Sequence, residues 1–500
     1  MLSLKWPARI RLPGANPYII QGTRNIVRLF RLSGQSDFAR LQVFFTCTLF
    51  GMPRPASELF LKDDSGYNST PRKGSEVEPR NRICYRDRQL LTALLQGSEV
   101  STMIERFTLR ISRKFHDLPI GDEWMQLPDL FEFIQTHVTP ATIESFCGQE
   151  LTTVIDPHFV EKLWEFDRHA PILMKNIPRW ISSSSYRARD NILNSLTRWR
   201  AWMEGVSPER KIAGISEPMR NKIQLLDADG WSIRAIAASD LAFIWGATHS
   251  TISAVYWLNY ELYREEDLLS RIRLECASST KAGDAHCRAS FNLPTLLKMP
   301  YLAASCAEML RLRTHALITR IANADGMMIN EWKLPAHSIM MTCTSVQHMN
   351  EELWNTRSHC SQLQPLSKYW PERFLEFPSD PRSGPTPSSC PRLADPLHHS
   401  AASNNCASSI DIVRDSPRLA TKGLDGIYIP FGGGSHQCPG QKFAKAMITI
   451  TTAFMVTMFD IEMESSLEVP ENGSQFGVGV LTPGEKTPCR IRRRASNTRE

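Results

Sequence analysis

Three consecutive glycines, a cysteine and a proline stand between a short apolar run and a long helical pattern, and this arrangement restricts the fold of the 500-residue chain more than any other. The segment is GIYIPFGGGSHQCPGQKFAKAMITITTAF, residues 426–454. Its first apolar residues predict a short strand. Gly432, Gly433 and Gly434 permit backbone conformations and close approaches that a Cβ forbids. Proline is favoured in the first turn of a helix, so Pro439 places Cys438 near a helix N-terminus. Two effects there favour a thiolate: the positive end of the helix dipole and the free N–H groups of the loop. Such a loop is suited to presenting one anionic sulfur to a metal in a flat ligand. A lone cysteine after a turn would instead read as a buried structural thiol, so other motifs must decide.

Elsewhere the period is helical and proline is the punctuation. From about Tyr85 to Met203, apolar residues recur at three- and four-residue spacing, which predicts helices. Pro119, Pro128, Pro140, Pro157, Pro171 and Pro178 are expected to separate them. Further helices are predicted over residues 235–262 and 293–312, and WKLPAHSIMMT reads as strand, turn and strand. Residues 1–60, with prolines, glycines and the run LQVFFTCTLFG, read as a small sheet. The expected fold class is mainly α with small β-sheets (α+β), in one domain over residues 1–500. Residues 378–421 are rich in serine, proline and asparagine and poor in apolar residues, which predicts an unstructured surface insertion. A linker between two domains is disfavoured, because the cysteine loop follows directly and needs the earlier helices to complete a site.

Composition narrows the class. With 42% hydrophobic and 22% charged residues, the chain can bury a sizeable core. A net charge of +6 is small for this length and points away from nucleic acid. The 12 cysteines show no zinc-type spacing and no signal peptide precedes them, so they read as reduced thiols in a cytosol-facing protein. The sequons at Asn68 and Asn472 are accordingly expected to be unglycosylated. The opening MLSLKWPARIRLPGANPY is basic and broken by proline. Residues 43–52 are too short to span a bilayer, and residues 241–258 carry His249 and several hydroxyls, so no transmembrane anchor is expected.

Phe431, Gly434, Cys438 and Gly440 together spell FxxGxxxCxG, which resembles the haem-binding loop of cytochromes P450. AEMLRLRT places Glu308 and Arg311 on one helix face. It resembles the family's ExxR pair, and Arg373 in PERF resembles the third member of that cluster. FGVGVLTPGEKTPCRIRRR is similar to the terminal hairpin whose tip touches substrate, and FCGQELTTVIDPHFVEKLWEFD and IPRWISSSSYRAR are similar to central helices of the family. The likeness covers about residues 10–375 and 421–494. It implies a cytochrome P450 fold and haem b, iron protoporphyrin IX, with Cys438 as the axial thiolate. Such a ligand pushes electron density toward O–O cleavage. By the same resemblance, His436 stands where an arginine usually contacts a haem propionate, and Arg320 matches a second propionate contact. Glu308, Arg311 and Arg373 would form a buried network that braces the loop. Burying three charges without such pairing is costly.

IWGATHSTISAVYW, residues 244–257, resembles the family's oxygen-activating helix. Thr251 aligns with its proton-delivering threonine, while Ser250 replaces the usual acid. Read without the family, Thr251 would bond the carbonyl four residues back. His249 reads as a satisfied core histidine. Trp245 and Trp257 are similar to residues of the sterol-hydroxylating and prostacyclin-synthase-like branch. The resemblance implies a monooxygenase that uses O2 and a lipophilic terpenoid, steroid or polyketide-like substrate, as in fungal secondary metabolism. NADPH electrons would come through a separate NADPH–cytochrome P450 reductase, because the chain has no GxGxxG segment or flavin domain. The alternatives are an isomerase or dehydratase acting on a peroxide, and a non-catalytic haem-binding protein. The family usually begins with an anchor, and none is expected in this chain. It is expected to lie peripherally on the cytosolic face of the endoplasmic reticulum or in the cytoplasm, unless the reading frame is shortened.

Overall fold

The computed structural model describes residues 6–11, 16–32, 36–205, 214–281, 290–357, 362–387 and 416–495. Residues 388–415, the centre of the expected insertion, lie outside the described residues. The frame is helical. In chain order its longer helices are α1 (Thr23–Arg31), α2 (Phe38–Thr48), α3 (Arg54–Lys62), α4 (Ile83–Gln96), α5 (Glu99–His116), α6 (Leu130–Cys147), α7 (Phe159–Met174) and α8 (Ser183–Gly205). They continue with α9 (Ile233–Leu262), α10 (Glu266–Ser278), α11 (Pro300–Arg313) and α12 (Gln441–Met458). Helix α9 is apolar on nearly every side and is accordingly buried, against α6, α8, α11 and α12. Among the described residues, no helix is long and apolar enough to cross a membrane.

The strands are short. A four-stranded sheet runs in the order β1 (Ala8–Arg9), β2 (Tyr18–Ile19), β7 (Ile339–Cys343), β4 (Leu317–Ile321), with β2 parallel to β7 and Arg320 opposite Met340. A three-stranded sheet orders β8 (Phe459–Met463), β9 (Cys489–Arg493) and β3 (Met125–Leu127). In WKLPAHSIMMT the two expected strands form, but they pair elsewhere. β6 (Trp332–Leu334) turns back on β5 (Met327–Ile329), while β7 joins the larger sheet.

Several local expectations are overturned. The run LQVFFTCTLFG is helical, in α2, not a strand. The Asp37 side chain caps α2 by accepting from Arg40 N at 3.2 Å, and the helix packs on α3, α9 and β4. That packing overrides the β propensity of its side chains. Pro140 and Pro171 lie inside α6 and α7 rather than between helices. An interior proline costs about 3 kcal/mol, which the dense burial of Val138–Cys147 offsets. Pro171 falls in the last turn of α7, where little helix remains to disturb. The predicted helix over 293–312 is two, because Pro300 starts α11 at its first position. Pro439 does not open a helix either; Gly440 is the N-cap and α12 begins at Gln441.

Candidate active site

The cysteine loop is shaped by its glycines. Gly432 and Gly434 both have φ +70, where a side chain would be strained. Gly433 is extended, and a Cβ there would fall 2.2 Å from the Phe30 ring. The loop closes through Cys438 N donating to Phe431 O at 2.9 Å, and Lys445 lies 5.5 Å over the Phe431 ring. Cys438 is a free thiol that keeps open surface, yet protein surrounds it closely enough that burial pushes the thiol upward. The Gly440 N–H, donating to the sulfur, opposes that shift. Open surface within dense surroundings marks a residue lining an internal recess. Burial is the larger of these two influences on the sulfur. Coordination to a metal deprotonates a thiol outright.

Behind the loop, Glu308, Arg311 and Arg373 meet, all fully buried. Arg311 Nε and Nη2 donate to Glu308 Oε2 and Oε1 at 2.7 and 2.8 Å, and Arg373 Nε donates to Oε1 at 3.2 Å. The remaining Arg311 donors reach His348 O and Leu366 O at 2.9 and 2.6 Å, and Arg373 reaches Asn355 O and Pro365 O. His348 Nδ1 lies 3.0 Å from Arg311 O, so it must donate, and Nε2 accepts Ile429 N at 3.0 Å. The histidine thus couples the cluster to the entry of the cysteine loop, which is a succession of turns and not the expected strand. Burial, and secondarily Arg311, pushes its pKa down to about 3.

Arg320 rises from β4 beside the loop and is only 5% exposed. Nη2 donates to Gly433 O at 3.1 Å and Nη1 to Thr319 O at 2.9 Å. Nε has no partner among the described residues, and burial lowers the guanidinium pKa to about 10. His436 Nε2 lies 3.3 Å from Ser36 Oγ and the ring meets Tyr67 edge-on. It borders a cleft of about 460 Å³ that Arg31, Arg72 and Arg88 also line. A buried arginine with an orphaned donor, a basic cleft, an open thiol and a glycine cradle fit a flat, dianionic, metal-bearing ring such as haem.

Helix α9 has one exposed residue, at its middle. Gly246 is exposed, Trp245, Ala247 and Ser250 are half-buried, and a Cβ at Gly246 would meet nothing within 4 Å. Thr248 and Ser253 bond the carbonyls four residues back. Thr251 is buried, and no hydrogen bond of its hydroxyl occurs among the described residues. The expected terminal hairpin ends in β9, paired with β8, but its first part is an irregular loop, tied at Glu471–Pro483 and bridged to Thr314 and Ala316. It closes against α9 so tightly that a Cβ on Gly479 would stand 2.3 Å from Ser250 Oγ.

One cluster here escaped the sequence reading. Asp167 of α7 is buried, and its Oδ1 accepts Trp245 Nε1 at 2.7 Å and His249 Nδ1 at 2.6 Å. Oδ2 accepts Gln475 Nε2 at 3.1 Å. One nitrogen of His249 is thus satisfied, as expected, but Nε2 is buried without a partner among the described residues. The four-residue spacing of Trp245 and His249 puts both on one helix face, which was the available signal. The carboxylate they share lies 82 residues from His249 and could not be read.

Comparison with known proteins adds independent information. The Cytochrome P450 family profile matches residues 147–376 and 416–488, which include Thr251, Glu308, Arg311, Arg373 and Cys438. Cytochrome P450 monooxygenase efuG of Hormonema carpetanum is 30% identical over 420 residues, 81% of this chain and 71% of that protein. Cytochrome P450 monooxygenase fsoE of Humicola fuscoatra is 27% identical over 507 residues, 98% of this chain and 81% of its own length. The 25-hydroxycholesterol 7-alpha-hydroxylase of Rattus norvegicus is 21% identical over 410 residues, covering 78% and 85%.

Proposed function

The chain belongs to the cytochrome P450 family, and on that premise we propose that it hydroxylates a lipophilic terpenoid, steroid or polyketide-like compound of secondary metabolism. One atom of O2 enters an unactivated C–H bond and the other leaves as water. NADPH supplies the electrons through a separate NADPH–cytochrome P450 reductase. The observation that carries this reading is the free Cys438 thiol in a recess beside Arg320, a buried cation with an orphaned donor. Cys438 would hold the iron, and Arg320 and His436 would hold the propionates. When bound, haem supplies the activation of O2; the protein binds, orients and excludes water. The loop at Gly479 covers α9 and keeps bulk water from the recess. Thr251, whose hydroxyl is not spent on its own helix, organises water that carries protons. Ser250 cannot supply one as a carboxylic acid would, so Thr251 bears more of that task.

The purified protein is expected to show the red-shifted Soret band of a thiolate-ligated ferrous carbonyl complex, and Cys438→Ala to abolish it. A variant that kept the band would sink the ligand assignment. The neutral Ser250 is the one observation favouring a peroxide isomerase or dehydratase instead. Turnover of the true substrate with O2 and NADPH both absent would decide for that reading. We place the enzyme peripherally on the endoplasmic reticulum. Trp180 is 83% and Ile181 58% exposed beside Arg179, as a membrane-contacting tip would be. Carbonate extraction should then release it, and retention in the pellet would count against a peripheral contact.

A further inference from the structure

The geometry points to His249, held by Asp167, as the residue that recognises a hydroxyl group on the substrate. This deepens the monooxygenase reading and rests on it, because it assigns a substrate class to the same recess. A side chain on a helix leans back over the preceding turn. The His249 ring accordingly stacks on Trp245, with centroids 4.9 Å apart and planes 20° from parallel. That turn, Trp245 to Ala247, carries the one exposed residue of α9, Gly246, with free space at its Cβ. The ring therefore lies against the turn that carries the exposed residue.

Its orientation is set from behind. Trp245 Nε1 can only donate, so Asp167 Oδ1 is an acceptor at 2.7 Å. His249 Nδ1, 2.6 Å from the same oxygen, must then be the donor. In the neutral ring this leaves Nε2 as a bare acceptor, and it is buried with no partner among the described residues. Gln475, from the loop that covers the recess, fixes the other carboxylate oxygen at 3.1 Å. Gln475 is itself held by Thr482 Oγ1 at 2.8 Å, so Asp167 has little freedom to turn away. The surroundings are aromatic: the buried Phe50 and Phe166 both pack on Trp245. One fixed acceptor among rings suits an apolar polycyclic molecule with one hydroxyl that donates to Nε2. A buried acceptor left without its donor is costly, which is how such a site discriminates.

The experiment uses the haem-loaded full chain and a library of hydroxylated steroids and terpenoids, each beside its O-methyl ether. The ether keeps the shape and the oxygen but cannot donate. Binding is read from the Soret shift and, separately, from thermal stabilisation. Alcohols are expected to bind about tenfold more tightly than their ethers. In His249→Phe that preference should vanish while the ethers still bind. Equal binding of alcohols and ethers to the unaltered chain, or no binder in the library, overturns the inference without needing the variant to fold. If the thiolate carbonyl band is missing, the monooxygenase reading itself has failed. If the band is present and the preference is absent, only the role of His249 has failed.

Discussion

The Glu308 cluster behind the cysteine loop and the Asp167 cluster beside α9 are built alike and finished differently. Each centres on a buried carboxylate that ties distant segments together. Around Glu308, the carboxylate and both guanidinium groups are paired. Around Asp167, three donors are placed and one acceptor, His249 Nε2, is left open among the described residues. A closed cluster can only hold structure, since any new partner must displace an old one. An open one retains capacity to bind. The difference separates the part of the molecule that must not move from the part that must accept a ligand.

The largest expected effect breaks the closed side. Glu308→Ala leaves two buried cations without their anion, which typically costs ~3–5 kcal/mol, and little haem-loaded protein should be recovered. Asp167→Asn keeps an acceptor for Trp245 and removes no counter-ion of an arginine. It should cost about 1–3 kcal/mol and leave a folded, haem-binding protein. Urea unfolding midpoints and the ferrous carbonyl band report on both. If Glu308→Ala loaded haem normally and lost only turnover, the contrast between the clusters would collapse.

A smaller effect sharpens the comparison through pH. His348 belongs to the closed side and is neutral in the folded chain, its pKa lowered to about 3 from an ordinary value near 6.5. Between those values the unfolded chain binds a proton that the folded chain does not. This site therefore costs nothing above about pH 6.5 and destabilises by up to ~1.4 kcal/mol per unit below it, down to about pH 3. His348→Gln, which can still donate and accept, should flatten the pH dependence of stability by one proton over that window. Identical slopes in the two proteins would mean that His348 is not held neutral.

The least stability should be lost on the open side. Thr251→Ala removes a hydroxyl with no partner among the described residues and one buried methyl, so unfolding should shift by only about 1 kcal/mol. Haem and substrate binding should persist, while NADPH electrons are diverted to hydrogen peroxide and product per NADPH falls. Positioned proton transfer is typically worth about 10²–10⁴-fold. Unchanged coupling in Thr251→Ala would remove the hydroxyl from the mechanism.

The cysteine loop, the Glu308–Arg311 pair and the course of α9 were legible because each is a local pattern. Gly432 and Gly434 need positive φ, Glu308 and Arg311 share one helix face, and α9 is apolar all round. Those requirements are met within a few residues, so the chain alone determines them. Misreadings arose where local preference met a distant demand. Phe44 and Phe45 favour a strand in isolation, but Asp37 and the packing against α3 made α2 a helix. Pro140 breaks an exposed helix, yet not one buried as α6 is. Sequence states what a side chain can offer: a carboxylate at 167, an imidazole at 249, a guanidinium at 320. Only the tertiary structure decided that His249 spends one nitrogen and keeps the other, and that Arg320 is buried beside the cysteine loop with a donor to spare. Hydrogen-bond satisfaction depends on partners such as Gln475, 308 residues from Asp167, and on the water that burial takes away.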